Sequence, residues 1–182
     1  MLHHQHPKNA TLVSLDSKTI TIKNHNNPPV AEAQNNVKAT EQTPVNLTLV
    51  GTDLENNSLS YVIVSLPPNG ILTDPNNSNA SVSEGDTIQG STVTYSSTSD
   101  TATNDSFTFK VNDGKLDSNI ASISIDITAV NDIPILSDDS VSTDEDTNVD
   151  INFNAVDPDN SQITYSVAIN PTNGNVSITN NI

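Results

Sequence analysis

Residues 45–72 and 149–176 are two versions of one segment. They read VNLTLVGTDLENNSLSYVIVSLPPNGIL and VDINFNAVDPDNSQITYSVAINPTNGNV, and they align without a gap at an offset of 104 residues. Seven of the 28 positions are identical: Val45/Val149, Asp53/Asp157, Asn56/Asn160, Tyr61/Tyr165, Pro67/Pro171, Asn69/Asn173 and Gly70/Gly174. Most of the other substitutions keep apolar or polar character. A period of this length is too long for a solenoid unit and matches one small domain per repeat. The chain therefore reads as part of a tandem array.

The array is built from strands. Val and Ile dominate the apolar residues, while Ser, Thr, Asn and Asp fill the rest, the profile of many short strands joined by polar turns. No stretch has helical periodicity beyond a turn or two. The core is thin, with three Phe, three Tyr and no Trp. With no cysteine, neither a disulfide nor a thiol or zinc-cysteine site is available.

Two copies of a seam mark the repeat boundaries. Residues 18–30 read KTITIKNHNNPPV and residues 121–135 read ASISIDITAVNDIPI. Each is an alternating strand followed by Asn-Asn or Asn-Asp, one residue, and Pro. Alternation places Ile20, Ile22, Ile125 and Ile127 on one face and polar residues on the other, and the proline ends the strand. The seams divide the chain into residues 1–25, the last strand of a preceding repeat; 26–130, one complete repeat; and 131–182, the first half of another. Within the complete repeat, strands are expected near 37–40, 45–50, 59–65, 71–73, 81–84, 92–96, 105–112 and 119–130. Turns are expected at Asn56-Asn57, Asn69-Gly70, 74–79 and Asn112-Asp113-Gly114. This implies an all-β fold of tandem seven-stranded Greek-key sandwiches of immunoglobulin-like size, the second incomplete. Residues 131–182 would expose their core. Either the chain is cut from a longer protein, which we expect, or a strand such as 11–24 from a neighbouring molecule completes the sheet.

Charge narrows the partners. Twenty-two carboxylates face six lysines and no arginine, for a net charge of −16. Self-repulsion on this scale disfavours a compact state, and bound divalent cations would relieve it where carboxylates gather. No basic patch exists to neutralise phosphates, which excludes nucleic acid and anionic membrane surfaces as partners. No apolar run is long enough to span a bilayer. The first residues, MLHHQHPKNATLV, contain no apolar signal segment.

The carboxylates gather at expected domain ends. Asp157 and Asp159 sit in Val-Asp-Pro-Asp-Asn after an apolar strand, where a turn can aim two carboxylates at one hard cation. Asp53 and Glu55 hold those places in the first repeat. Asn131-Asp132 lies in the seam, and Asp113 precedes Gly114. Glu41 has its counterpart in Glu145. The alternative reading is that such residues only make turns.

The order of these motifs resembles bacterial and archaeal cadherin-like tandem repeats of large surface proteins. An early Glu comes first, then Asp-x-Asp after a strand, then Phe-x-Phe-x-Val-x-Asp-Gly, and a closing strand that ends in Val-Asn-Asp-x-Pro. The resemblance covers residues 20–182. It implies calcium in the junctions between stacked sandwiches. Carried over residue by residue, one junction takes Glu41 and Asp100 from the base of the first repeat, Asn131 and Asp132 from the linker, and Asp157 and Asp159 from the second repeat. The upper junction takes Asn26, Asn27, Asp53, Glu55 and Asp113. Three positions depart from the animal cadherin pattern. Ala129 stands for an Asp, Asn27 for an Asp and Glu55 for an Asp. Both junctions are therefore expected to hold fewer or weaker ions, the upper one above all.

Other chemistry finds little support. All four histidines (His3, His4, His6 and His25) precede or lie in the first seam, so no Ser-His-Asp site has a base within the repeat. A glycosidase carboxylate pair would lack a sugar-stacking cleft. Lys110 alternates with Phe107, Phe109 and Val111 and so faces outward, away from any core crosslink with Asn. The expected function is a non-catalytic, calcium-binding extracellular spacer or adhesion module. Its partners would be neighbouring repeats, and identical subunits or another cell surface. The alternative is a subunit of an extracellular filament or surface layer assembled by strand exchange through the N-terminal strand.

Overall fold

A computed structural model describes residues 10–16 and 19–179. The chain forms two compact units, one ending at Thr128 and the other beginning at Ala129.

The first unit opens with β1 (Ala10–Asp16) and β2 (Thr19–Asn24), which pair antiparallel with each other. The expected single strand over 11–24 is thus two strands. The sequence Asp16-Ser17-Lys18 is rich in turn-forming residues, although positions 17 and 18 lie outside the described residues.

The sandwich itself comprises β3 (Val30–Glu32), β4 (Gln34–Thr40), β5 (Val45–Thr48), β6 (Val50–Thr52), β7 (Ser60–Ser65), β8 (Gly70–Asp74), β9 (Ala80–Ser81), β10 (Thr87–Ile88), β11 (Thr92–Ser97), β12 (Asn104–Asn112) and β13 (Ala121–Thr128). One sheet has the order β10-β7-β12-β13-β4 and the other β5-β11-β8-β9, with β3 and β6 forming a short separate pair. All pairings are antiparallel except β13 with β4. This is the two-sheet arrangement of an immunoglobulin-like sandwich. The sequence pattern missed β3 and β10, which at three and two residues are too short to show alternation.

Strict alternation makes the core. Phe107, Phe109 and Val111 of β12, Ile123, Ile125 and Ile127 of β13, and Val93 and Tyr95 of β11 all point inward and are buried. Leu47, Leu49, Ile63 and Leu72 join them in the same core. Each such side chain contributes about 1.5–3 kcal/mol when removed from water. Tyr61 stacks on Phe109 with ring centroids 6.4 Å apart. Lys110 points outward as expected and donates to Asp117 Oδ2 at 2.7 Å.

Two buried carboxylates anchor turns. Asp74 accepts from the backbone N–H groups of Asn76 and Gln89 at 2.9 and 2.7 Å. Asp105 accepts from the Tyr95 hydroxyl at 2.9 Å and from the backbone N–H of Asn69 at 3.2 Å. Gly70 lies directly against the Tyr95 ring, where a Cβ would also fall 2.8 Å from the Ser96 carbonyl oxygen.

In the second unit, β14 (Ile135–Leu136) pairs antiparallel with β15 (Ala155–Val156). These strands are the counterparts of β3 and β6 in the same register: with the seams aligned, Ile135 lies opposite Val156 as Val30 lies opposite Thr52. Backbone conformation repeats as well. Asn56 and Asn160, and Gln42 and Asp146, adopt positive φ between 54° and 60°, each pair separated by the 104-residue offset. Left-handed backbone is rare outside glycine, so its recurrence at matched positions marks the same turns in both repeats.

Candidate metal centre

At one end of the first sandwich, the seam residues meet the turn after β6 and the turn after β12. Asp53 begins its turn: its backbone carbonyl accepts from Asn56 N–H at 3.2 Å, and its Oδ1 accepts from Asn57 N–H at 2.7 Å. Glu55, two residues on, reaches the seam. Its Oε2 accepts from the backbone N–H of Asn27 at 3.1 Å, and its Oε1 accepts from the Asn27 side-chain amide at 2.7 Å. Asp113 holds its own turn through Oδ1, which accepts from the N–H groups of Lys115 and Leu116, both at 2.7 Å. Its Oδ2 accepts from the Asn26 amide at 2.7 Å. Asn57 closes the ring by donating to Asn26 Oδ1 at 3.2 Å.

All five residues expected at the upper junction therefore lie in one hydrogen-bonded cluster. The structure adds Asn57, which the repeat pattern did not single out because its counterpart is Ser161. Asn27 and Glu55, both departures from the animal cadherin pattern, bond directly to each other. The turn reading of Asp113 is correct for one oxygen, while the other faces the seam. Its carboxyl is held below the usual carboxylate range, chiefly by the Leu116 N–H, with the Asn26 amide and Lys115 adding to this against the opposing effect of desolvation.

The donor set fits a hard cation. Every side chain in the cluster offers oxygen, the ligand type calcium takes. Asp53 Oδ2 is buried and has no hydrogen-bond partner among the described residues. Such an atom forfeits its hydration unless something replaces the lost water. Each asparagine amide can present oxygen instead of nitrogen by rotating about its terminal bond.

The second unit repeats part of this geometry. Asp157 Oδ1 accepts from the N–H groups of Asp159 and Ser161 at 3.0 and 3.1 Å, as Asp53 accepts from Asn57. Asp159 Oδ2 accepts from the seam N–H of Asp132 at 2.6 Å, as Glu55 accepts from Asn27. Asn131 turns its amide onto the Asp132 carbonyl at 3.0 Å.

The remaining expected ligands fare unevenly. Glu41 is 2% exposed, just past β4, with its N–H bonded to the Thr128 carbonyl at 3.0 Å. Asp100 lies in the loop between β11 and β12, and among the described residues no hydrogen bond joins it to another expected ligand.

A family model described as bacterial Ig domain matches residues 26–126. No curated protein gives a match. Among solved structures, the chain is similar to one described as a nucleoside hydrolase-related hypothetical protein from Saccharophagus degradans, associated with carbohydrate metabolism. The identity is 14%, the TM-score is 0.39, and the likeness covers 58% of this chain and 26% of that one.

Proposed function

The chain belongs to the bacterial Ig domain family, and on that premise we propose that it is a non-catalytic, cadherin-like spacer module of an extracellular surface protein, stiffened by calcium at its domain ends. The observation that carries this reading is the buried, unpartnered Oδ2 of Asp53 inside a cluster whose other side-chain ligands are all oxygen-bearing. In the first repeat Asp53, Glu55 and Asp113 would hold the ion, with Asn26, Asn27 and Asn57 turning their amide oxygens towards it. In the second, Asp132, Asp157 and Asp159 supply the corresponding carboxylates.

Calcium here does no chemistry. It offsets repulsion among the carboxylates and ties the seam to two turns that are far apart in sequence. Extracellular calcium modules bind at ~10⁻⁴–10⁻³ M, so an ion at ~2 mM adds about 0.6–1.8 kcal/mol per site by mass action. In a domain of this size that corresponds to a melting rise of roughly 3–12 °C.

Thermal unfolding with calcium and with excess chelator tests the proposal. The wild type should melt higher in calcium. Asp53→Ala/Glu55→Ala and Asp157→Ala/Asp159→Ala should each reduce the difference. Superimposable curves in calcium and chelator would reject it.

A further inference from the structure

The strands that carry the chain into and out of the first sandwich run side by side in the same direction. The chain enters from the seam at 26–29, passes through β3 into β4, and leaves β13 after Thr128. β4 and β13 pair parallel, from Gln34 opposite Ile123 to Thr40 opposite Thr128, with an irregularity ahead of Ile125. The Glu41 N–H continues the ladder by donating to the Thr128 carbonyl at 3.0 Å.

Parallel pairing decides how a pull along the chain reaches this ladder. Tension from the preceding segment arrives at the N-terminal end of β4, beside Ile123. Tension from the following segment arrives at the C-terminal end of β13, beside Thr40. The two pulls are opposed and act at opposite ends of one ladder. The strands can part only by sliding along each other, which strains all the ladder's hydrogen bonds together. In an antiparallel pair both pulls would act at one end, and the bonds would open one at a time.

β4 is the edge of its sheet, so within that sheet only β13 holds it. On the outer face Lys38 donates to Asp126 across the pair at 2.6 Å. On the inner face Val37 packs against the core, and Ala39, Ile125 and Ile127 are part of it. Sliding by one residue would turn this apolar set to the wrong face. Ahead of β4, β3 is braced by Asn119, whose amide donates to the Ala31 carbonyl at 3.0 Å while its oxygen accepts from the Ala31 N–H at 3.1 Å.

We infer that the β4–β13 pair is a load-bearing clamp, through which the first unit resists tension drawn along the chain. The direction of the load follows from the tandem-array reading, and calcium plays no part in the clamp.

Single-molecule pulling of the full chain in excess chelator tests this separately from the calcium reading. The chain has no cysteine, so introduced cysteines define the points of attachment. Pro28→Cys with Ala129→Cys loads the ladder lengthwise. Thr43→Cys with Ala129→Cys pulls the two C-terminal strand ends apart, because the Thr43 N–H is bonded to the Thr40 carbonyl at 3.2 Å. All three positions are exposed. The unfolding force of the first unit should be roughly twofold or more higher in the lengthwise geometry. Val37→Pro should lower the lengthwise force. The Glu41 N–H faces β13 and N–H directions alternate along a strand, so the proline removes a donor from the ladder. Equal forces in the two geometries would overturn the inference, and so would a lengthwise force that Val37→Pro leaves unchanged. Should Val37→Pro fail to fold, the comparison of the two geometries decides alone.

Discussion

Asn27 holds Glu55 with two donors, its backbone N–H at 3.1 Å from Oε2 and its side-chain amide at 2.7 Å from Oε1. An aspartate at position 27 would keep the first bond and set a carboxylate against a carboxylate in place of the second. A hydrogen bond to a charged group contributes roughly 1.5–3 kcal/mol, with less expected at a partly exposed site. We predict that Asn27→Asp lowers stability by about 1–2 kcal/mol in chelator and strengthens calcium binding. Denaturant unfolding in both conditions and calcium titration by calorimetry check the pair of signs.

Asp53→Asn should show the reverse pattern. Its oxygen can still accept from Asn57 N–H, while the buried charge at Oδ2 disappears. The variant should be at least as stable as wild type in chelator, yet gain less from calcium. Melting curves in the two conditions distinguish this from a general loss of folding.

Alkaline pH should unfold the first unit through Tyr95. Burial, followed by its bond to Asp105, raises the phenol well above its ordinary value. A raised acid contributes stability that is fully present below the unfolded value of ~10 and declines as pH rises from there towards the folded one. Tyr95→Phe should flatten that decline. It should also cost about 1–3 kcal/mol at neutral pH, because Asp105 loses a donor while buried. Melting temperature measured across the alkaline range reads both effects.

At the acid end Asp113 and Asp117 act in the opposite sense. The Leu116 N–H chiefly depresses Asp113, and Lys110 followed by Asn112 depresses Asp117. Their contribution is present above the ordinary carboxylate value of ~3.9 and is lost as pH falls through the lower folded one. Replacing both with Asn should make the acid-side fall in melting temperature shallower, as followed by circular dichroism.

Gly70→Ala tests the close packing at the Asn69-Gly70 turn. An added Cβ would meet the Tyr95 ring and lie 2.8 Å from the Ser96 carbonyl oxygen. Neither the backbone nor a ring buried in the core can yield cheaply. A loss of about 2–4 kcal/mol is expected in urea unfolding.

The sequence alone determined the repeat, the strand class and the inward faces. Alternation over six to nine residues in β11, β12 and β13 leaves only one way to bury Val93, Phe107, Phe109 and Ile125. It also marked Asn26, Asn27, Asp53, Glu55 and Asp113, since recurring acidic residues at repeat ends are visible as pattern. Tertiary structure decided what those residues do to one another. Asn26 and Asp113 are 87 positions apart, and Asn27 and Glu55 are 28 apart. Only the closing of two sheets over a common core brings such groups within hydrogen-bonding distance. The same closure assigned Asn57 to the cluster and Asp105 to Tyr95, neither of which any local periodicity announces. β1 and β2 pair with each other where alternation alone implied one strand. Periodicity reports which face a residue takes along its own strand, whereas the partner across the sheet depends on how distant segments pack.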